Sequence, residues 1–420
     1  MEETAVLVGV NLNNQEDFQY LMEELRNLAD ACDLKVAGEV TQKISEVNTG
    51  YYIGTGKIQE LSHVMEETGA DVAVFNDELT PTQIRNLEEE LKCKVIDRTM
   101  LILDIFAQRA KTKEAKLQVE IAQLQYTLPR LIGLRESLGR QSGGVGTRNK
   151  GAGEKKLELD RRKIEERINL LNKELKELVV NRETQRSKRR KNEIPVVSLV
   201  GYTNAGKSTL MNAILERYNK AEDKQVFVKD MLFATLDTSV RSIKLPDNKQ
   251  FLLTDTVGFA SKLPHNLIKA FRSTLEEAAE ADLLVHVIDY SNPNYKEQIQ
   301  ITNAVLKEIG AENIPVIYAY NKSDLAGYNN DNNQENNAVY ISAKEKSGLS
   351  ELMDMIIKKI FNNYVKCQML IPYDKGGIIS YLSENANIIN TSYVKDGTKL
   401  ELECKAADFQ RFKNYSIVQK

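Results

Sequence analysis

The chain has 420 residues, of which 42% are hydrophobic and 28% charged, and its formal net charge is −3 at pH 7. This length is enough for roughly two to four domains, and no stretch approaches the length of a membrane span. Four cysteines without a CxxC pair and three scattered histidines disfavour a disulfide framework, a zinc centre and a catalytic histidine. The acidic N-terminus is unlike a signal peptide, so we expect a cytoplasmic protein.

The first hundred residues alternate predicted strands and helices. Strands are predicted at residues 5–10, 34–44, 72–75 and 94–96, and helices at 16–29, 58–68 and 82–91. This order is typical of βαβ units, so residues 1–98 should form an N-terminal α/β domain with a mainly parallel sheet. Within it, Gly54-Thr55-Gly56-Lys57 indicates either a plain strand-to-helix turn or a second nucleotide site. The turn is favoured, because the glycine spacing matches neither a P-loop nor a dinucleotide-binding fingerprint.

Two long helices are predicted next, from residue 98 to 128, ending at Pro129, and from about residue 154 to 186. Apolar residues recur at helical spacing in both, which predicts an antiparallel coiled-coil hairpin over residues 99–191. Residues 139–153 between them are glycine-rich and basic. They form either a disordered linker or, because paired helices need a far shorter connection, a mobile tip loop suited to structured RNA.

The charge of the chain is unevenly distributed. Residues 109–191 hold 23 Lys and Arg against 11 Asp and Glu, a net of +12, so the rest of the chain carries −15. A solvated helical surface is one explanation, and a nucleic-acid partner is the favoured one because the excess is densest at one helix end. The predicted RNA contacts are Arg140, Arg148, Lys150, Arg161, Arg162, Arg186, Lys188, Arg189, Arg190 and Lys191.

A phosphate-binding motif follows the apolar strand predicted at residues 194–200. It reads Gly201-Tyr202-Thr203-Asn204-Ala205-Gly206-Lys207-Ser208, and a helical run begins at Thr209. Strand, glycine loop and helix form the setting in which GxxxxGKS binds phosphates. We expect the loop N–H groups to face the phosphates, Lys207 to reach the terminal ones, and the Ser208 hydroxyl to ligate Mg²⁺.

Three further motifs come after predicted strands at residues 250–253, 314–320 and 339–341. In Asp255-Thr256-Val257-Gly258, Asp255 would hold Mg²⁺ through a water, and the Gly258 N–H would touch the γ-phosphate. In Asn321-Lys322-Ser323-Asp324, the last carboxylate can accept two hydrogen bonds from guanine, which adenine cannot donate. In Ser342-Ala343-Lys344, the backbone of Ala343 would contact guanine O6. Together the motifs predict a P-loop GTPase domain over residues 192–364 that binds GTP or GDP.

Catalysis depends on the segments around these motifs. Thr235, in Phe233-Ala234-Thr235, is the predicted hydroxyl that closes on Mg²⁺ and the γ-phosphate, with Thr238 as the alternative. Asn204 either helps to hold K⁺ against the phosphates or only shapes the turn. Phe259 stands where Ras-like enzymes have a water-positioning glutamine, so basal hydrolysis should be slow. The predicted catalytic residues are Lys207, Thr235, Gly258 and Asn204.

Further motifs give the chain a resemblance to HflX-type GTPases over nearly its whole length. They are Tyr52-Ile53-Gly54-Thr55-Gly56-Lys57, Asp97-Arg98-Thr99, the stretches at residues 103–110, 118–124, 129–131, 144–148 and 157–162, and Phe233-Ala234-Thr235-Leu236-Asp237. The resemblance implies a module that docks on the large ribosomal subunit and its RNA, and GTP-driven separation of stalled or idle ribosomes into subunits. The tip loop departs from the family pattern, because Asn149 and Lys150 are inserted and Ala152 replaces a proline.

Residues 365–420 resemble a small C-terminal α+β appendage, with a strand at 368–371, a helix at 377–384 and a strand pair across Asp396-Gly397. We expect a monomer. Two other functions remain open from the sequence. One is a GTP-gated RNA-binding or ribosome-assembly switch that does not split ribosomes, and the other is an ATP-using RNA remodelling enzyme, which Asp324 disfavours at the central site.

Overall fold

The computed structural model describes residues 3–141, 152–191, 194–218, 232–233, 236, 238–262, 272–326 and 337–417. The chain divides into two compact units. The first contains Met1–Ser187, Lys229–Asp237 and Val257–Leu275, and the second contains Lys188–Val228, Thr238–Thr256 and Glu276–Lys420. Among the described residues, no helix is long and apolar enough to cross a membrane.

The first unit begins with a parallel sheet whose strand order is β2-β1-β3-β4. Its strands are β1 (Thr4–Leu12), β2 (Lys35–Ile44), β3 (Val72–Phe75) and β4 (Lys94–Asp97), and its helices are α1 (Phe18–Ala31), α2 (Thr55–Thr68) and α3 (Pro81–Leu91). Local sequence sets the boundaries of α3. Thr80 and Gln83 form a capping box, Pro81 occupies the first turn, and Lys92 ends the helix in a left-handed conformation. The predicted α/β fold of this part is confirmed.

The next part of the first unit is helical and corrects one prediction. The expected single helix over residues 98–128 is two helices, α4 (Arg98–Arg109) and α5 (Lys113–Gln141). Ala110 is extended, and the Thr112 hydroxyl accepts a hydrogen bond from the Ala115 N–H at 3.1 Å, so a new helix starts there. Pro129 lies inside α5 and does not end it.

Helix α6 (Ala152–Lys191) pairs with α5 as predicted. Leu117, Ile121 and Leu171 are buried together along the seam. Ion pairs join Lys113 to Glu174 at 3.3 Å and Glu120 to Arg167 at 2.8 Å. Because the partner number falls as the α5 number rises, the two helices run antiparallel.

The second unit contains a mixed sheet with the strand order β10-β9-β8-β5-β7-β6, antiparallel between β6 and β7 and otherwise parallel. The strands are β5 (Val196–Val200), β6 (Ser239–Lys244), β7 (Gln250–Asp255), β8 (Leu283–Asp289), β9 (Val316–Asn321) and β10 (Ala338–Tyr340). The helices in this stretch are α7 (Lys207–Tyr218), α8 (Arg272–Ala279), α9 (Tyr295–Glu308) and α10 (Leu349–Ile360). Strands β5, β7 and β8 carry the core residues Val197, Leu199, Leu253 and Val285, all 0% exposed.

The chain ends in an antiparallel sheet with the order β11-β13-β12. Its elements are β11 (Tyr364–Ile371), α11 (Gly376–Asn385), β12 (Asn387–Val394), β13 (Gly397–Lys405) and α12 (Ala406–Arg411). Gly397 closes the turn between β12 and β13 at φ 152°, where an added Cβ would lie 2.3 Å from the Ile371 carbonyl oxygen. This α+β part agrees with the predicted strand, helix and strand pair.

Candidate nucleotide-binding site

The GxxxxGKS motif lies at the carboxyl end of β5, which has a parallel strand on each side in the sheet. Strand β5 pairs with β7 on one side and with β8 on the other. In open α/β sheets, ligands bind at such a switch point. Helix α7 begins at Lys207, so its unpaired N–H groups face the loop that precedes it.

Two glycines are required by the shape of this loop. Gly201 has φ 145°, and a Cβ there would lie 2.2 Å from the Val287 carbonyl oxygen. Gly206 has φ 92°, and its Cβ would lie 2.3 Å from Nδ2 of Asn321. Any other residue would therefore clash and also adopt a strained backbone. Asn204 is exposed with φ 60°, a conformation that asparagine tolerates.

Lys207 is held close to the loop by its own backbone. Its Nζ donates to the carbonyl oxygens of Gly201 at 3.0 Å and Tyr202 at 2.8 Å, and the residue is 6% exposed. Burial lowers the pKa of Lys207 to about 8, although the nearby Asp255 carboxylate acts in the opposite direction. A phosphate next to this amine would restore its charge.

Ser208 and Asp255 are brought together from α7 and β7. The Ser208 Oγ donates to Asp255 Oδ2 at 2.6 Å, and Asp255 is fully buried. Next to it, the Thr256 hydroxyl donates to the Leu199 carbonyl oxygen at 2.7 Å and ties β7 to β5. A hydroxyl and a carboxylate at this spacing are the hard oxygen donors that suit Mg²⁺. No cluster of three or more His, Cys, Asp or Glu side chains suited to a metal occurs in the described part.

The Asn321 side chain connects its own motif to the phosphate-binding loop and to the Ser342-Ala343-Lys344 motif, a role that the sequence did not indicate. Its Nδ2 donates to the Ala205 carbonyl oxygen at 2.8 Å, and its Oδ1 accepts from the Ala343 N–H at 2.9 Å. The side chain is buried. Since the Ala343 N–H already has a protein acceptor, contact with guanine O6 would require that hydrogen bond to be shared or broken.

Lys322 and Asp324 are both accessible beyond the end of β9. Lys322 has φ 61° and pairs with Asp289 at 2.7 Å, an interaction that anchors its side chain to the end of β8. Asp324 is exposed and its carboxylate lies on the surface. The Ser323 N–H donates to the Ile341 carbonyl oxygen at 3.2 Å, which connects this motif to the strand before Ser342.

The remaining predicted contacts in the second unit differ in exposure. Tyr202, Thr203, Ala205 and Ser342 are buried, Gly206 and Thr209 are half-buried, and Lys344 is exposed. The buried Thr203 Oγ1 has no hydrogen-bond partner within the described residues. An orphaned hydroxyl in this loop fits a ligand with acceptor oxygens.

Several predicted contacts lie in the first unit or outside the described residues. Val257 and Gly258 are buried in the first unit. Phe233 is 2% exposed, with its ring edge-to-face on Phe106 at 4.8 Å, so its ring is engaged in an apolar contact. Ala234 and Thr235 lie outside the described residues, and Thr238 is half-buried in the second unit.

Of the predicted RNA contacts, only Arg161 and Arg162 have described side chains. Arg161 pairs with Glu165 at 3.0 Å and Arg162 with Glu158 at 3.2 Å, both along α6. Such exposed pairs are weak and do not prevent phosphate binding. Arg140, Arg186, Lys188, Arg189, Arg190 and Lys191 lie in α5 and α6 without described side chains, and Arg148 and Lys150 lie outside the described residues.

The Gly54-Thr55-Gly56-Lys57 motif begins α2 and is satisfied by protein groups. The Gly54 N–H donates to Gln42 Oε1 at 2.9 Å, and Lys57 pairs with Glu60 at 2.7 Å. These contacts favour the strand-to-helix turn over a phosphate site.

His286 is a buried titratable residue of the second unit whose environment the sequence did not indicate. It lies in β8 opposite Val200 and is 1% exposed. Burial, assisted by the charge of Lys207, lowers the pKa of His286 to about 3, so the imidazole is neutral at physiological pH. From the sequence, a single histidine in an apolar strand predicts only that the side chain is buried.

The fold and the loop at the end of β5 define a P-loop GTPase. Three family models match consecutive parts of the chain: "GTP-binding GTPase N-terminal" at residues 19–107, "GTP-binding GTPase Middle Region" at 109–189, and "50S ribosome-binding GTPase" at 196–322. Relatives named "GTPase HflX" match almost the full length. That of Caldanaerobacter subterraneus is 46% identical over 99% of this chain and 94% of its own. That of Escherichia coli is 38% identical over 97% of this chain and 95% of its own. The chain belongs to the HflX family of GTPases.

Proposed function

We propose that this GTPase binds the large ribosomal subunit and uses GTP to dissociate stalled or idle ribosomes into subunits. The observation that carries the proposal is the antiparallel pairing of α5 and α6, which makes residues 142–151 the connection at one end of a long helical hairpin. That connection and the adjoining helices form the basic part of an otherwise acidic chain. The family model called "50S ribosome-binding GTPase" supports the same partner.

The nucleotide chemistry follows from the arrangement at β5. The loop N–H groups and Lys207 would neutralise the β- and γ-phosphates, and Asp324 would select guanine. Ser208, Asp255 and Thr235 are the residues we propose to hold Mg²⁺, which supplies charge stabilisation to the phosphates. Asn204 is the proposed contact for K⁺. Phe259 has no group that could orient water, so efficient hydrolysis needs charge or order supplied from outside.

We further propose a division into four parts: the N-terminal α/β domain at residues 1–98, the ribosome-binding hairpin at 99–191, the GTPase domain at 192–364 and the appendage at 365–420. The first two would act as one docking module. The protein would work as a monomer in the cytoplasm, where its ribosomal partner is found.

Ribosome binding is tested by cosedimentation with large subunits in the presence of a non-hydrolysable GTP analogue. Replacing Arg140, Arg148 and Lys150 together by Glu should weaken binding at least tenfold and make the salt dependence shallower by roughly 2 to 3 in log–log slope. GTP affinity should not change. The matched control replaces three exposed lysines of α9 and α10, Lys296, Lys307 and Lys358, by Glu. Equal cosedimentation of the parent and the tip variant would refute the RNA contact.

Splitting is tested on whole ribosomes in sucrose gradients. The parent with the GTP analogue should convert whole ribosomes to free subunits, and the tip variant should not. Binding without any change in the gradient would favour the GTP-gated switch that does not split ribosomes. Equal action with ATP would instead favour the RNA remodelling enzyme.

A further inference from the structure

Arg98, the first residue of α4, is the largest fully buried side chain of the described chain at 2% exposure. Its guanidinium pairs with Glu24 of α1 at 2.7 Å and donates to Asn76 Oδ1 at 2.9 Å. The remaining Nε donates to the backbone carbonyl oxygen of Ser261 at 3.3 Å. A charge this deeply buried must be paired and hydrogen-bonded, so the position of Ser261 is part of what stabilises Arg98.

The same ion pair binds both backbone polar groups of one residue, Ser261. While Arg98 donates to the Ser261 carbonyl oxygen, Glu24 Oε1 accepts from the Ser261 N–H at 3.3 Å. Lys262 adds an ion pair to Asp77, and Phe259 before it is 2% exposed. Residues 257–262, which continue the chain directly from Asp255 and Thr256, are thus fixed in the first unit by buried contacts.

Asp97, the neighbour of Arg98, binds the helical hairpin. Its carboxylate is 0% exposed and accepts from the Met100 N–H at 3.0 Å as the cap of α4. The same group accepts hydrogen bonds from the Tyr126 hydroxyl and from Arg130 at 3.1 Å, both on α5. The Arg130 guanidinium also stacks over the Tyr126 ring at 4.0 Å. The Leu79 N–H donates to the same carboxylate at 3.0 Å, so what the α5 residues add to the backbone donors is the Tyr126 hydroxyl and the charge of Arg130.

Helix α4 therefore contacts three separate segments of the first unit. Its first turn holds residues 257–262 and α5, and Phe106 in its last turn packs on Phe233. Residues 233 and 257–262 flank or belong to the motifs assigned to the γ-phosphate. Since α5 is one arm of the hairpin, α4 joins the backbone next to these motifs to that arm.

We propose that Asp97 and Arg98 are positioning residues that couple the conformation of residues 257–262 to α5. A shift of the Ser261 backbone would break its hydrogen bonds to Glu24 and Arg98. Helix α4 and its Asp97 cap would then have to readjust together with Tyr126 and Arg130. Coupling of this kind is reciprocal. If GTP changes the affinity of the hairpin for its partner, binding of that partner to the hairpin changes the affinity for GTP by the same factor. This inference rests on the proposed function only where stimulation of GTP hydrolysis by large ribosomal subunits is measured.

Hydrogen exchange of the full-length protein tests the coupling without ribosomes. In the parent, replacing GDP by a non-hydrolysable GTP analogue should change exchange in residues 257–262, 98–109 and 117–130. In the Tyr126→Phe/Arg130→Gln variant, the first two segments should still respond and residues 117–130 should not. The control Glu39→Gln removes the exposed ion pair with Arg26 at 3.0 Å and should behave like the parent. An α5 that responds equally in the variant, or not at all in the parent, would overturn the proposal.

Arg98→Lys tests the other side of the link. Lysine keeps a charge for Glu24 but lacks the planar fork that serves Asn76 and Ser261 at the same time. We expect stimulation of GTP hydrolysis by large subunits to fall about tenfold, a typical size for coupling between sites, with basal turnover within about twofold of the parent. A purely structural role would lower the melting temperature and leave the stimulation ratio intact, which would contradict the proposal.

The two tests separate failure of the coupling from failure of the proposed function. If large subunits do not stimulate the parent, the proposed function fails, while the exchange experiment still decides whether α5 responds to the nucleotide. If Arg98→Lys does not fold, the Tyr126→Phe/Arg130→Gln variant carries the stimulation assay, because these residues are only part-buried. Unaltered stimulation in that variant would refute the coupling even though ribosomes act on the parent.

Discussion

The side chain of Asn321 shows how a single residue can serve a motif without contacting its ligand. It belongs to the tetrapeptide that predicts guanine binding, yet both ends of its amide bind protein backbone, at Ala205 and Ala343. The residue of this tetrapeptide that we propose for the base contact is Asp324, which is exposed three positions further on. In this proposal, Asn321 holds the loops of the site together and Asp324 selects guanine.

We predict that Asp324→Asn weakens GTP binding by about 2 to 4 kcal/mol, because two donors of guanine lose a charged acceptor. Xanthosine nucleotides, which present a carbonyl in place of the amine, should be relatively favoured by the variant. Titration calorimetry with both nucleotides measures the change, and Asp354→Asn, an exposed aspartate of α10, is the control. Unaltered GTP affinity would remove Asp324 from the site.

Lys207 should take up a proton when phosphate binds in mildly alkaline solution. In the free protein burial lowers its pKa to about 8, so at pH 8.5 the amine is mostly neutral. A bound phosphate raises that pKa, and more than about half a proton should then be taken up per GTP. At pH 6.5 the amine is already charged and contributes no uptake.

Calorimetry at pH 8.5 in buffers of different ionisation enthalpy measures this proton count. Lys207→Arg does not titrate in this range and should lose the uptake. A parent that binds GTP at pH 8.5 without taking up protons would mean that the lysine is charged before the nucleotide arrives.

The phosphate-binding loop and the motif at Gly54 to Lys57 should differ in whether a glycine can be replaced by alanine. Gly206→Ala would place Cβ 2.3 Å from the Asn321 amide at φ 92°, so the loop and β9 could not keep their hydrogen bond. Gly56→Ala in α2 meets nothing within 4 Å, and alanine is the better helix former.

We therefore predict that Gly206→Ala lowers GTP affinity by at least a hundredfold, while Gly56→Ala leaves both the affinity and the number of GTP sites unchanged. Equilibrium binding with a fluorescent GTP derivative measures both quantities. If Gly56→Ala loses a GTP site, the motif at Gly54 to Lys57 binds a second nucleotide, contrary to the interpretation that its protein contacts favour.

The elements also show where sequence patterns are sufficient. Buried strands such as β3 and β5 are short apolar runs next to glycine or charged turns, so their positions could be predicted. The break between α4 and α5 depends on a single hydroxyl cap at Thr112, and Pro129 is accommodated inside α5, so apolar spacing predicted one helix with the wrong end. The Glu24–Arg98–Ser261 contact joins residues far apart in the chain, and no local pattern announces it. The roles assigned to Thr235, Arg148 and Lys150 stay predictions.

At the scale of the whole molecule, we predict that the isolated protein hydrolyses GTP slowly and that large ribosomal subunits stimulate it by orders of magnitude. Phe259 is buried and apolar, so Phe259→Ala should change the stimulation more than the basal rate. Steady-state phosphate release with and without subunits gives both values. Fast hydrolysis that is indifferent to subunits would contradict this mechanism.

A smaller preference for K⁺ over Na⁺ should accompany the basal rate and depend on Asn204. This residue is exposed at φ 60°, so a loss of preference in Asn204→Ala could reflect backbone strain alone. Asn204→Gly keeps the backbone accessible and removes only the side chain. If the glycine variant retains the K⁺ preference, the asparagine shapes the turn and does not hold the ion.

The contact between Arg98 and Ser261 also bears on how the protein is made. The two residues are 163 positions apart, so at bacterial synthesis speeds Ser261 is polymerised roughly ten to thirty seconds after Arg98. Until then the Ser261 backbone is not available to the Arg98 and Glu24 side chains. The first unit is discontinuous in sequence, so it can reach its final packing only after its last segment, Val257–Leu275, has been made.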